Sequence, residues 1–98
     1  MAETDINRSE TDTTGRYEIL VDGHDEAGEL TYQKLADGTV VADHTGVPLS
    51  MRGLGIGKAL VAKLANDALD EGFQIIPTCP FVKAHLERNP DWVGLINA

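Results

Sequence analysis

Apolar and polar positions change their spacing along this chain, and each change predicts an element. Residues 16–21 (RYEILV) alternate, with Tyr17, Ile19 and Val21 on one side, the period of a half-buried strand. Residues 29–35 (ELTYQKL) set Leu30, Tyr32 and Lys34 against Thr31, Gln33 and Leu35. Asp37-Gly38 is a hairpin pair, and residues 39–45 (TVVADHT) follow it, so three strands should form an antiparallel meander. From Ile56 the spacing lengthens. Ile56, Leu60, Leu64 and Ala68, with Val61, Ala65 and Leu69 beside them, make one apolar stripe at helical period. Lys58, Lys63, Asp67, Asp70 and Glu71 take the remaining surface, and Gly72 supplies a left-handed stop. The short run 73–77 (FQIIP) reads as a strand buried on both faces. Pro80 suits the first turn of a helix over 80–88, with Thr78 or Cys79 near its cap. Phe81, Val82, His85 and Leu86 line one face of it, and Asn89-Pro90 break it. Residues 91–96 then add a turn that packs Trp92, Leu95 and Ile96 back on the body. The order βββ-α-β-α predicts an α/β sandwich with a mixed, mostly antiparallel sheet.

Residues 1–15 are polar and carry no apolar period, so they are expected to form a disordered acidic tail, leaving 16–98 as the domain. Glu3, Asp5, Glu10 and Asp12 against Arg8 place three of the eight net negative charges there. Composition narrows the function classes. No signal peptide and no long apolar run interrupt the 98 residues, so one soluble domain with a modest core is expected. The single cysteine excludes an internal disulfide, no cysteine–histidine cluster has zinc spacing, and a reducing cytoplasm is the expected setting. Sixteen acidic against eight basic residues disfavour nucleic acid or an anionic membrane as partner. A monomer or weak dimer is expected.

Residues 52–57 (RGLGIG) place Gly53, Gly55 and Gly57 at alternate positions and run straight into the long helix. Free N–H groups and the positive dipole end suit phosphate, and the glycines let a ligand approach the backbone; the plain alternative is a turn that only enters a helix. A P-loop fits poorly because Gly57-Lys58 is followed by Ala59, which lacks the magnesium-binding hydroxyl. A dinucleotide fingerprint fits poorly because the third glycine comes one residue early and three strand-like segments precede it. What does fit is Arg-x-x-Gly-x-Gly at Arg52, Gly55 and Gly57. It is accompanied by Asp22-Gly23, by HT-x-VP over 44–48, by IPxCPFV over 76–82, and by Pro90-Asp91-Trp92. Through these motifs, over roughly residues 17–95, the chain resembles the GNAT (general-control-related) N-acetyltransferases, and within them the short YjdJ-type GNAT-like subgroup.

The resemblance implies a GNAT-like fold without its N-terminal helices and an activity that moves acetyl from acetyl-CoA to an unidentified amine, on a small molecule or a protein. It implies cofactor contacts at Val47, Arg52, Gly53, Leu54, Gly55, Ile56, Gly57 and Lys58, with the pyrophosphate on the backbone N–H groups of the glycine loop. Lys58 either adds charge beside a phosphate or is a solvated helix lysine. Pantetheine would lie in the splay between the third and fourth strands, and the thioester would end near His44 and Cys79. A thiol at a helix N-terminus can ionise readily and accept acetyl, so Cys79 is a candidate nucleophile; the alternative is a small residue filling a strand end. His44 is either a base for the amine or a hydrogen-bonded structural residue. His85 stands where many members carry a tyrosine that protonates the departing thiolate, and is either that acid or a plain helix-face residue. Two departures stand out. Gly46 replaces a glutamate common in relatives, and Asn89-Pro90-Asp91-Trp92 replaces His-Pro-Glu-Tyr. A non-catalytic acetyl-CoA-binding or regulatory module, or a plain interaction domain, therefore competes with the enzyme.

Overall fold

A computed structural model of the chain describes residues 5–21 and 23–97. Asp22 of the expected first turn, Met1 to Thr4 of the expected tail, and Ala98 lie outside the described residues. Five strands form one sheet in the order β1-β2-β3-β4-β5: β1 Asp5–Glu10, β2 Thr14–Leu20, β3 Ala27–Lys34, β4 Val40–Gly46 and β5 Ile75–Pro77. The first four pair antiparallel in sequence order, and β5 joins β4 in parallel. That last step needs a crossover, supplied by helix α1, Ile56–Glu71. Helix α2, Pro80–Arg88, follows β5.

The expected meander, long helix and second helix are present, but the tail is corrected. Residues 5–10 are a strand, and β2 starts at Thr14, two residues before the expected boundary. No apolar alternation marks β1 because polar side chains dock it. Arg8 reaches Tyr32 on β3 through Nε at 3.1 Å, and on α1 it pairs with Asp67 at 3.2 Å and with Glu71. Glu10 accepts from the Tyr32 hydroxyl and from Lys34 Nζ. Thr11 closes the hairpin, its hydroxyl accepting the N–H of Thr14 at 3.0 Å.

Alternation along β2, β3 and β4 puts Tyr17, Ile19, Leu30, Tyr32, Val40 and Ala42 into one core, against Leu60, Val61, Leu64 and Ala65 of α1 and Val82 and Leu86 of α2. Each such aliphatic side chain contributes about 1.5–3 kcal/mol on burial. Both helices thus cover one face of the sheet, and Arg16, Glu18, Glu29, Thr31, Gln33 and Asp43 occupy the other. The helix stripes are narrower than their periodicity suggests. Leu69 is exposed while Asp67 is buried, because Asp67 receives the Tyr17 hydroxyl at 2.7 Å. On α2, Phe81 is exposed and His85 is only partly covered. β5 is shorter than the expected 73–77 and is fully buried only at Ile75. Gly72, at φ 80°, ends α1 in a left-handed cap that also uses the Phe73 N–H, so pairing begins later.

Candidate active site

The parallel pairing of β4 and β5 ends early. Both the Thr78 and the Cys79 N–H bond the Ala42 carbonyl at 3.1 Å, and β5 then turns away into α2. Among the described residues, no backbone group from the β5 side reaches β4 over 43–46. A split opens there, with hydrogen-bonding main chain along one wall.

A bulge controls which β4 side chains face it. Thr31 pairs with His44 and Tyr32 with Ala42, so Asp43 is the extra residue. It is held by Thr31 Oγ1 at 2.7 Å and Gln33 Nε2 at 3.0 Å. The bulge moves His44 to the outer face and returns Thr45, opposite Leu30, to the helix side. His44 Nε2 lies 3.5 Å from Glu29 Oε2, and Arg16 Nε holds the other Glu29 oxygen at 2.9 Å. A side chain at Gly46 would meet this pair, since a Cβ there would stand 3.1 Å from His44 Nε2 and 3.5 Å from Glu29.

On the helix side, Cys79 Sγ is 3.6 Å from Thr45 Oγ1. Cys79 is the residue before α2, and no side-chain cap serves that helix start. Partial burial pushes the thiol pKa up, but the N–H groups of Val82 and Phe81 and the Thr45 hydroxyl outweigh it, and the net value lies below the ordinary thiol range. His44 and Cys79, both expected near the thioester, therefore lie on opposite faces of the sheet.

The glycine loop forms the far end of the split. After β4, a 3₁₀ turn at Leu49–Met51 buries Met51 and leads into Arg52. Gly53 and Gly55 adopt φ of 86° and 77°, which L side chains avoid, and Gly55 is the N-cap of α1. The first bond of the helix runs from the Ala59 N–H to the Gly55 carbonyl, so the amides of Ile56, Gly57 and Lys58 stand open at the positive dipole end. Gly57 lies against Phe81, where a Cβ would come within 2.7 Å of the ring. A groove of about 390 Å³ runs here, lined by Val47, Met51, Arg52, Gly53, Gly55, Ile56, Gly57, Lys58, Phe81 and His85.

Of the expected cofactor residues, all but Leu54 line this groove; Leu54 is an exposed side chain outside it. His85 joins the glycine-loop end and stacks on Phe81, ring centroids 4.4 Å apart. Burial first, and then the nearby charges of Arg88 and Lys58, hold its pKa below the usual imidazole value. Reading the sequence alone missed Glu29, Thr45 and the bulge at Asp43, because only strand register brings them to the split. Among the described residues, no group of three His, Cys, Asp or Glu side chains converges to hold a metal, and no helix is long and apolar enough to cross a membrane.

These features agree with the comparisons. The solution NMR structure of a GCN5-like protein from Staphylococcus aureus, proposed as an N-acetyltransferase, superposes with a TM-score of 0.67 at 25% identity, over 100% of this chain and 92% of that one. Protein NATD1 of Xenopus tropicalis is 29% identical over 75 residues, which span 76% of this chain and 69% of NATD1. A sequence model of the GCN5-related N-acetyl-transferases matches residues 16–95, from within β2 to past α2. The glycine loop, the split beside it and these matches agree, and the chain belongs to the GCN5-related N-acetyltransferase family.

Proposed function

We propose that this chain transfers the acetyl group of acetyl-CoA to an amine by direct attack, with His44 as the base. The observation that carries this function is a β4 edge left unpaired by β5 beyond Ala42 and followed along the chain, from Val47, by a groove at the uncapped start of α1. Pantetheine has amide groups that match a free strand edge, and a pyrophosphate matches the open amides over 56–58. The acceptor then approaches from the outer sheet face. Its nitrogen attacks the thioester carbonyl, its proton passes to His44, and the C–S bond breaks with the electron pair leaving on the CoA sulfur. Glu29 orients the imidazole from 3.5 Å, and Arg16 orients Glu29. The free thiol of Cys79 suits a reducing, cytoplasmic setting.

One observation favours a two-step route instead. The Cys79 sulfur has its pKa lowered at the mouth of α2, so its thiolate could take the acetyl group, releasing CoA, before the amine attacks. Free-thiol release from acetyl-CoA with a panel of amines tests the activity, and calorimetry tests binding. Under direct attack His44→Ala lowers kcat/KM by about 10²–10⁴, and Cys79→Ala turns over as wild type does. An acetyl adduct by intact mass that disappears in Cys79→Ala, together with loss of turnover, would establish the two-step route. Tight binding with no thiol release from any amine would leave a non-catalytic acetyl-CoA-binding module.

A further inference from the structure

On the outer face of the sheet, strand register sets Ser9, Arg16, Thr31 and His44 in one cross-strand row. Neighbouring strands lie about 4.8 Å apart, so the row runs roughly 14 Å from β1 to the proposed base on β4. An open cavity of about 450 Å³ lies along it, lined among others by Ser9, Thr14, Arg16, Thr31, Gln33 and Asp43. That volume suits a small molecule. Three members of the row line the cavity, and His44 is the fourth, next to the bulged Asp43. The charges around this cavity are unevenly answered. Arg16 pairs with Glu18 and with Glu29, each at 2.9 Å, and Glu10 bonds Arg8 and Lys34. Among the described residues, Asp43 pairs with no lysine or arginine. Its two oxygens accept from neutral donors, Thr31 Oγ1 and Gln33 Nε2. An ionised carboxylate has about four acceptor directions, so about half of them stay open. Partial burial works against the Asp43 charge, but the Thr31 hydroxyl, the Gln33 amide and the field of His44 outweigh it and hold the carboxyl below its usual range.

A fixed anion beside the base, in a cavity whose one arginine is already engaged by two carboxylates, is matched to a cation. The reacting nitrogen is not that cation, because an amine attacks a thioester only in its neutral form. We infer that the acceptor is a small aliphatic amine with a second, ammonium group, which Asp43 holds in this cavity while the first nitrogen stands at His44. The net charge of −8 favours the approach of such a molecule. This inference rests on the proposed acetyl transfer at His44, and names the substrate class of that site. In the step itself the near nitrogen forms the C–N bond as the C–S bond breaks. Its proton passes to His44, the electron pair leaves on the CoA sulfur, and the far ammonium is unchanged, so the products are a mono-acetylated diamine and CoA.

Free-thiol release from acetyl-CoA tests it on the full chain, with diaminobutane bearing a nitrogen at each end, aminobutanol and butylamine as acceptors. A charge-assisted contact at an exposed carboxylate is worth roughly five- to tenfold. Expressed per neutral nitrogen, kcat/KM for diaminobutane should exceed that for the other two by this factor. Asp43 and Gln33 are both exposed, so Asp43→Asn should fold, with Gln33 turning its amide to face the new one. Melting temperature and acetyl-CoA affinity check that it does. The variant should raise KM for diaminobutane roughly five- to tenfold, with a much smaller change for butylamine. Equal kcat/KM per neutral nitrogen for diaminobutane and butylamine in the wild type overturns the inference and leaves acetyl transfer standing. An Asp43→Asn loss of the same size with both amines would mean that Asp43 keeps the bulge and holds no cation, which also overturns it. So does a lysine-containing peptide that is acetylated without any preference among the free amines, since the acceptor would then be a protein. If no amine releases thiol, the proposed transfer and this inference fall together.

Discussion

Gly55 and Gly57 are two residues apart and are constrained for different reasons. At Gly55 a Cβ meets nothing within 4 Å, so the constraint is the left-handed backbone alone. Gly55→Ala should therefore cost about 1–2 kcal/mol, read as a drop in melting temperature of roughly 4–8 °C per kcal/mol in a domain of this size. At Gly57 the constraint is Phe81, whose ring would have to move. Phe81 is 41% exposed, so the ring can swing outward and the fold should survive. Gly57→Val should then keep most of its stability yet lose acetyl-CoA affinity, because the displaced ring enters the groove. Calorimetry and thermal melting together separate the two cases. Wild-type affinity in Gly57→Val would show that the cofactor lies elsewhere.

At the scale of elements, β1 is fastened by charge and hydrogen bonds more than by apolar area. Its anchor has a pH signature. The Tyr32 hydroxyl donates to Glu10 and lowers its carboxyl pKa most; burial works the other way, and Lys34 and Arg8 add to the lowering, to a net value of about 2. A depressed carboxylate contributes stability that is full above its unfolded value near 4.5 and lost as pH falls through about 2. Wild type should accordingly lose stability between about pH 5 and pH 2, and Glu10→Gln should flatten that part of the curve. Arg8→Ala strips Asp67 of α1 of its partner on β1 while Tyr17 and Lys63 remain, so a loss of roughly 1–3 kcal/mol is expected. Urea denaturation at several pH values checks both. If removing residues 1–10 left the melting temperature unchanged, β1 would contribute nothing to the fold.

For the whole molecule, one sheet face carries both helices and the other is bare, and β5 leaves the β4 edge unpaired beyond Ala42. A thioester lying there meets Cys79 on the helix side and His44 on the outer side. The bare face is where an amine can arrive without displacing core, which is why His44, held by Glu29, is the base in the proposed reaction. Glu29→Gln should lower kcat and leave acetyl-CoA affinity as it is, with Glu29→Asp recovering part of the rate. Equal losses in both variants would mean that Glu29 serves the fold rather than His44. A side chain at position 46 would press against this histidine–carboxylate pair, its Cβ 3.1 Å from His44 Nε2. In the proposed reaction, the departure at Gly46 is thus accompanied by His44 as the base.

Local physics determined much of this protein. Strand alternation in β2 to β4, the four-residue stripe of α1, the turn at Asp37-Gly38, the stop at Gly72 and the proline start of α2 each depend on neighbours a few residues apart, and each was legible. The glycine loop was legible for the same reason, since the left-handed Gly53 and Gly55 and the helix they open are consecutive. Tertiary structure decided what depends on partners far along the chain. Beyond its hairpin with β2, strand β1 is held through Tyr32, Asp67 and Glu71, which lie 24 to 63 residues from Arg8. Asp67 reads as a solvated helix position until Tyr17, 50 residues earlier, donates to it. The bulge at Asp43 depends on pairing with β3, and it alone turns His44 away from Cys79. No periodicity encodes a one-residue slip between strands, and such a slip reverses every side chain that follows it.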